Sequence, residues 1–276
     1  MSRQLHCGPY RLSLERPLIM GIVNVTPDSF SDGGKFFDAT RAIDHAYQLI
    51  EEGADILDIG GESSRPGAES VSVAEELARV MPVIEALAGA GVPLSVDTVK
   101  TEVMRATIAA GAVLINDITA LQAEGALEAV AASDAAVCLM HMRGEPRSMQ
   151  SEPHYDDVVA EVHAFLAQRV AACHAAGIAD ERIVVDPGFG FGKLLEHNLA
   201  LLRQIDRYTD LGVAVLAGLS RKSMFGQIAG RALGERATAS VAAAMIATQN
   251  GARIVRVHDV AATKDALAVL QAVQSA

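Results

Sequence analysis

An α/β protein folded as a single (β/α)8 TIM barrel is the fold class this sequence predicts. Three observations predict it. Eight short apolar, β-prone runs recur along the 276 residues. Helical patterns fill the stretches between them. Roughly 34 residues separate one run from the next, about the size of one βα repeat. Strands alternating with helices form a parallel sheet, and a chain near 250 residues suits eight units closed into a barrel. An open doubly wound sheet is the alternative architecture.

The eight runs cover residues 18–25, 55–59, 93–96, 113–116, 136–140, 183–186, 213–217 and 254–257. Between the first two, Ala39, Ala42, Ile43, Ala46 and Ile50 form a stripe of period 3.6. Before the third, Ser72 and Glu75 have capping-box spacing, and Val73, Leu77, Val80, Met81, Ile84 and Leu87 share one face. Val158, Val162, Phe165, Leu166 and Val170 repeat the pattern between runs five and six. Gly91, Gly111, Gly177, Gly212 and Gly251 stand where left-handed helix C-caps are needed. Ahead of the first run, residues 4–7 and 10–14 around Gly8-Pro9 suit a short N-terminal β-hairpin that closes the barrel bottom. No linker or low-complexity stretch interrupts the pattern, so residues 1–276 read as one domain.

Composition narrows the function. Half the residues are hydrophobic, 4% are aromatic and Trp is absent, so the core must be built from Ala, Val, Ile and Leu, as in buried parallel strands. The net charge is −11, with no basic stripe, which speaks against nucleic acid as a partner. An anion would need a local cationic cluster. Cys7, Cys138 and Cys173 are scattered and contain no C-x-x-C, so neither a disulfide framework nor a zinc site is expected. The chain shows no leader-like start and no apolar run near 18 residues. These features suit the reducing cytoplasm and no membrane partner.

Barrel active sites lie at the C-terminal ends of the strands. Two groups of residues stand there. Asp97, Asn116 and Asp186 each end a run; carboxylates and an amide suit a heterocycle with an amidine-like edge, because a carboxylate accepts two parallel N–H bonds. Arg65, Arg221, Lys222, Arg256 and His258 are cationic, and several come from units seven and eight, where barrels commonly hold phosphate. The helix after Asp259 adds its N-terminal dipole. A base-like ring carrying a diphosphate is the ligand this layout suggests. Asp58 and Asp117 read as structural acceptors. Gly188, Gly190 and Gly192 suit either a phosphate loop or close packing on a flat ligand. His141 is catalytic or simply satisfied by backbone, and Met140 is core or pocket floor. The loops after runs one and two are long enough for a lid.

The run Gly21-Ile22-Val23-Asn24-Val25-Thr26-Pro27-Asp28-Ser29-Phe30-Ser31-Asp32-Gly33-Gly34, the run Gly60-Gly61-Glu62-Ser63-Ser64-Arg65-Pro66-Gly67, and then Asp186-Pro187-Gly188, Ser220-Arg221-Lys222-Ser223 and Arg256-Val257-His258-Asp259 resemble, in order, the motifs of the dihydropteroate synthases. The resemblance spans nearly the whole chain. It implies condensation of a dihydropterin-methyl diphosphate with 4-aminobenzoate, through a pterin-methyl cation. It implies that Asp97, Asn116, Asp186 and Lys222 hold the pterin edges and that Arg256 lies over its face. Arg256, His258 and Asn24 would hold the diphosphate, with Asn24 also ligating Mg2+. Arg65, Pro66, Lys222 and Ser223, with the first loop, would shape the 4-aminobenzoate pocket, and Ser64 would be a further substrate-binding residue. Asp97, Lys222, Arg256 and His258 would carry the catalysis. A homodimer is implied too. Two positions depart from the pattern: Ser64 where Thr is usual, and Phe189 where Ile is frequent, which would alter packing beneath the pterin. The rival readings are a methyltransferase domain that passes a folate methyl group to a corrinoid protein, which needs neither the first-loop motif nor the Ser-Arg-Lys-Ser run, and a non-catalytic paralogue, which should show damage at Asn24, Arg65, Lys222, Arg256 or His258.

Overall fold

A computed structural model describes residues 4–26, 35–64, 67–144, 149 and 153–275, with the side chains of 35–38 also outside it. Strands β1 (Gln4–Cys7) and β2 (Tyr10–Ser13) form an antiparallel hairpin. The next eight strands are all parallel: β3 (Leu18–Asn24), β4 (Ile56–Gly60), β5 (Leu94–Asp97), β6 (Leu114–Asp117), β7 (Ala136–Met140), β8 (Ile183–Asp186), β9 (Ala214–Ala217) and β10 (Ile254–Val257). Because β10 pairs with both β9 and β3, the sheet closes on itself. That closure removes the open sheet as an architecture, and all eight predicted runs are barrel strands.

Nine α-helices surround the strands among the described residues: α1 (Lys35–Glu52), α2 (Val73–Leu87), α3 (Thr101–Ala109), α4 (Ala126–Ala131), α5 (Val158–Ala175), α6 (Leu195–Arg203), α7 (Ser223–Ala229), α8 (Ala237–Gln249) and α9 (Val260–Gln274). The five glycines expected to end helices all have positive φ. At α2 the Ser72 hydroxyl caps the Glu75 N–H at 3.2 Å. The reciprocal half of the capping box is replaced by another bond: the Glu75 carboxylate takes Arg79 at 2.5 Å, one turn on.

Two cores follow from the period-2 alternation of strand side chains. Outward residues such as Ile19, Leu57, Val96, Ile115 and Val185 pack under the helices. Inward ones, among them Leu18, Met20, Ile56, Leu114, Cys138, Val184, Leu216 and Ile254, fill the lower barrel interior. Leu5 and Cys7 of the hairpin join that inner cluster and are buried, and the Gly8 N–H donates to the Asp134 carbonyl at 2.9 Å, just before β7. The hairpin therefore plugs the barrel bottom, and the site must open at the other end.

Candidate active site

Strand parity decides what enters the upper barrel. Residues two beyond an inward apolar side chain also point inward. Met20 leads through Ile22 to Asn24, Ile56 to Asp58, Leu114 to Asn116, Val184 to Asp186, Leu216 to Gly218 and Ile254 to Arg256. Asp117 falls on the opposite parity. Its carboxylate accepts from Thr119 and from the Leu121 N–H at 2.7 Å, as a structural acceptor does.

Asp58 is an acceptor of another kind. It is fully buried and its carboxylate lies at the centre of a polar floor. Oδ2 accepts from Arg256 Nε at 2.5 Å and from Asn116 Nδ2 at 3.0 Å, while Oδ1 accepts from Ser95 Oγ at 2.5 Å. Arg256 Nη2 donates in turn to Asp97 Oδ2 at 2.8 Å. Asp58 is thus the structural acceptor expected, and it also holds two predicted site residues, a role that its parity with Ile56 signals. Burial opposes the charge of Arg256, but Asp58 and Asp97 raise its pKa above the ordinary value. Burial pushes Asp97 up to about 7; Arg256 pulls it down, and Asp58, Glu76 and Asp117 push it further up.

Asp186 is buried beside the floor. Its Oδ1 accepts the Gly188 N–H at 2.7 Å, and burial raises its pKa against that bond and the charge of Lys222. Gly188 and Gly192 have positive φ, and a Cβ on either would collide with the carbonyl oxygen of His141 or of Arg143. The turn thus lies flat on the segment after β7. Buried Lys193 ties it there, its Nζ at 3.0 Å from both His141 Nδ1 and the Phe191 carbonyl. Burial lowers Lys193 to about 7. Burial, Lys193 and Arg143 lower His141 to about 3, so the imidazole is neutral behind the pocket wall, a satisfied histidine. Phe191 faces the cleft, with Lys222 Nζ 4.2 Å above its ring. Phe189 does not lie beneath the cleft as expected. Its ring is buried in the outer core, under the helices, because it sits two residues from Phe191 across a turn that reverses direction. Met140 packs with Phe191, Met149 and Ile118 below the opening.

The cationic side is built from the ends of β9 and β10. Ser220 Oγ lies 2.9 Å from His258 Nδ1. Arg221 adopts φ +55, and its guanidinium forks onto Asp259 at 3.1 and 2.6 Å. Grouped from sequence with the anion-binding cations, Arg221 is instead spoken for by Asp259. Lys222 immediately precedes α7, whose first residue is Ser223. Above β4, buried Glu76 and Glu62 both hold Lys100, and Glu62 also accepts the Val71 N–H at 3.2 Å, which anchors the second loop.

These pieces enclose a cleft of about 650 Å³ at the C-terminal ends of the strands. Asn24, Ser64, Asp97, Lys222, Ser223, Arg256 and His258 line it. Asn116 and Asp186 lie just beneath, both about 5% exposed, with Asp186 Oδ2 close against Gly218 of the lining. Arg65, Pro66 and residues 27–34 of the first loop lie outside the described residues. A second, more open cavity of about 680 Å³ lies around Arg203, Asp206 and Arg253 at the opposite, N-terminal end of β10. Its position separates it from the strand-end groups.

The floor offers paired carboxylates and an amide; the rim offers cations and a helix start. That set suits a flat heterocycle bearing a diphosphate. Residues 20–258 match the family model described as pterin binding enzyme. The chain is 53% identical over 272 residues to a dihydropteroate synthase of Neisseria meningitidis serogroup B, covering 96% of this chain and 95% of the other. It superposes with a TM-score of 0.95 on Xanthomonas albilineans dihydropteroate synthase with 4-aminobenzoic acid, 56% identical over the full length of both chains. The structure of the Xanthomonas albilineans enzyme in complex with 7,8-dihydropteroate gives a TM-score of 0.88 at 52% identity, again over both whole chains.

Proposed function

The chain belongs to the dihydropteroate synthases of the pterin binding enzyme family and is a transferase, and on that premise we propose that it condenses (7,8-dihydropterin-6-yl)methyl diphosphate with 4-aminobenzoate to give 7,8-dihydropteroate and diphosphate. The observation that carries the reading is the convergence of Asp97, Asn116 and Asp186 beneath a cleft rimmed by Lys222, Arg256 and His258.

In this reading Asp186 accepts the 2-amino and N3 hydrogens of the pterin, Asn116 and Asp97 take neighbouring edges, and Lys222 donates to the ring carbonyl and N5. Arg256, held by Asp58 and Asp97, lies over the ring and reaches the diphosphate together with His258 and Asn24. The carbon–oxygen bond breaks with its electron pair left on the diphosphate, leaving a pterin-methyl cation. Anionic Asp97 offsets that positive charge. The arylamine nitrogen then forms the new carbon–nitrogen bond and loses one proton to the released diphosphate or to solvent. Ser64, Arg65, Pro66 and Ser223 shape the 4-aminobenzoate end, and the second loop excludes water that would trap the cation.

Mg2+ fits this chemistry. Among the described residues no cluster of three His, Cys, Asp or Glu side chains is arranged to hold a metal. A magnesium ion that takes most of its oxygens from phosphate and water needs only one or two protein ligands. The Asn24 Oδ1 and Asp97 Oδ2 atoms converge on Gly60, each 3.9 Å from where its Cβ would stand. Asn24 would hold the ion, which would neutralise charge on the departing diphosphate. A homodimer joined through helices remote from the mouth is part of the proposal; exposed Ile246 on α8 and Val269 and Val273 on α9 support it. No helix of the described residues is long and apolar enough to cross a membrane, and a cytoplasmic location is proposed from the composition.

The test is pyrophosphate release from the dihydropterin-methyl diphosphate with Mg2+, with and without 4-aminobenzoate. Release that depends on 4-aminobenzoate and accompanies dihydropteroate formation is expected. Pterin binding without turnover would sink the proposed reaction.

A further inference from the structure

We propose that Ser220 is a positioning residue that sets which nitrogen of His258 carries the proton, so that the neutral ring offers Nε2–H to the departing diphosphate. The inference rests on the reading of His258 as a diphosphate ligand.

Strands β9 and β10 are parallel neighbours, with Ala217 beside Val255. Beyond their ends, two consecutive residues of one loop bind two consecutive residues of the other. Ser220 meets His258, and Arg221 meets Asp259 through a two-bond fork. The Arg221 N–H is fixed as well, donating to Ser240 Oγ at 2.8 Å, in a left-handed conformation that L side chains rarely adopt. The Ser220 hydroxyl is therefore held in place from its own next residue.

Two distances then assign protons. Ser220 Oγ is 3.1 Å from the His258 backbone nitrogen and 2.9 Å from His258 Nδ1. A backbone N–H can only donate, so it takes a lone pair of Oγ. The hydroxyl has one proton to give. Oγ has no other hydrogen-bond partner among the described residues and the side chain is nearly buried, so Nδ1 is the acceptor within reach. With Nδ1 accepting, the single proton of a neutral imidazole must sit on Nε2. The opposite tautomer would turn the hydroxyl proton away from His258 into the cleft, which Ser220 also lines, and would point a bare Nε2 lone pair at anionic oxygen. Ser220 thus lets His258 donate to a diphosphate without first being protonated, much as the partner of one ring nitrogen sets the other in metal-bound histidines.

The experiment pairs nitrogen-15 NMR of histidine-labelled protein with calorimetry of inorganic pyrophosphate in magnesium buffer. His258→Gln identifies the His258 signals, and the remaining histidine signals report the fold of each variant. In the unmodified chain Nδ1 should be unprotonated and Nε2 protonated. Ser220→Ala should give mixed tautomers and weaken pyrophosphate binding by roughly 5- to 10-fold, the worth of one oriented hydrogen bond. Ser220→Thr, which keeps the hydroxyl, should restore both. A protonated Nδ1 in the unmodified chain, or an unchanged tautomer in Ser220→Ala, overturns the proposal. A shifted tautomer with unchanged pyrophosphate affinity overturns its diphosphate half, and with it the reading of His258 as a diphosphate ligand.

Discussion

Arg256 divides one guanidinium between two carboxylates, with Nε on Asp58 at 2.5 Å and Nη2 on Asp97 at 2.8 Å. Asp58 is fully buried and Asp97 nearly so. Removing the arginine leaves two closely spaced carboxylates without their shared cation. Arg256→Met should cost about 3–5 kcal/mol of stability and lower Tm by more than about 5 °C. In the double variant with Asp58→Asn the loss should be smaller than the sum of the singles, because the carboxylate that suffered most is gone. Thermal melts of the four proteins check this; strict additivity would count against the shared bridge.

Asp186→Asn separates two duties of one side chain. The amide oxygen can still accept the Gly188 N–H, now bonded at 2.7 Å, so the turn should survive. Its NH2 group opposes donors where the carboxylate accepted them. Pterin affinity should fall at least about 100-fold with an unchanged melting temperature. Calorimetric affinity equal to that of the parent would remove Asp186 from the pterin edge.

The pH dependence follows from Asp97, which burial raises to about 7. Its ionised form is the one that offsets the pterin cation. The kcat/KM for the pterin substrate should therefore rise with pH through about 7, and Asp97→Asn should abolish that limb. Stability runs the other way. The native state binds more protons than the unfolded chain between about 4 and 7, so the Asp97 contribution to stability falls as pH rises through this window. A kcat/KM that stays flat or falls as pH rises through about 7 would contradict the assignment.

Gly188→Ala tests the turn that carries Asp186 and Phe191. The new Cβ would meet the His141 carbonyl oxygen, which is backbone, at a residue with φ +72. Nothing flexible can yield, so a loss of at least about 2 kcal/mol is expected. Denaturant melts showing parental stability would mean that the two segments separate easily.

Asn24→Ala should leave the fold intact and raise the Mg2+ concentration needed for half-maximal pyrophosphate release by roughly tenfold. An unchanged magnesium dependence would place the ion elsewhere.

Much of this was legible in the sequence. Eight apolar runs with helical stripes between them set the barrel units, because hydrophobic periodicity records which face is buried. Gly8-Pro9 marked the hairpin, and the residues following each run supplied Asn24, Asp97, Asn116, Asp186, Lys222, Arg256 and His258, all of which come together at one end. Local spacing could not say which side chains would neutralise one another across strands. Asp58 and Asp117 each belong to a β-strand of similar composition, yet one joins the floor and the other caps a loop. Arg221 looks like a free cation in the chain and is engaged by Asp259, 38 residues away. Phe189 and Phe191 differ by two positions and face different cores.

By itself the sequence determined the repeat, the hairpin and the order of the strand-end residues, since these depend on side-chain hydrophobicity and turn chemistry within about ten neighbours. Only the closed barrel decided that Arg256 would stand between Asp58 and Asp97, residues 198 and 159 positions away. Those pairings arise when β10 closes against β3, and the burial that results, not the residue types alone, raises Asp97 to about 7.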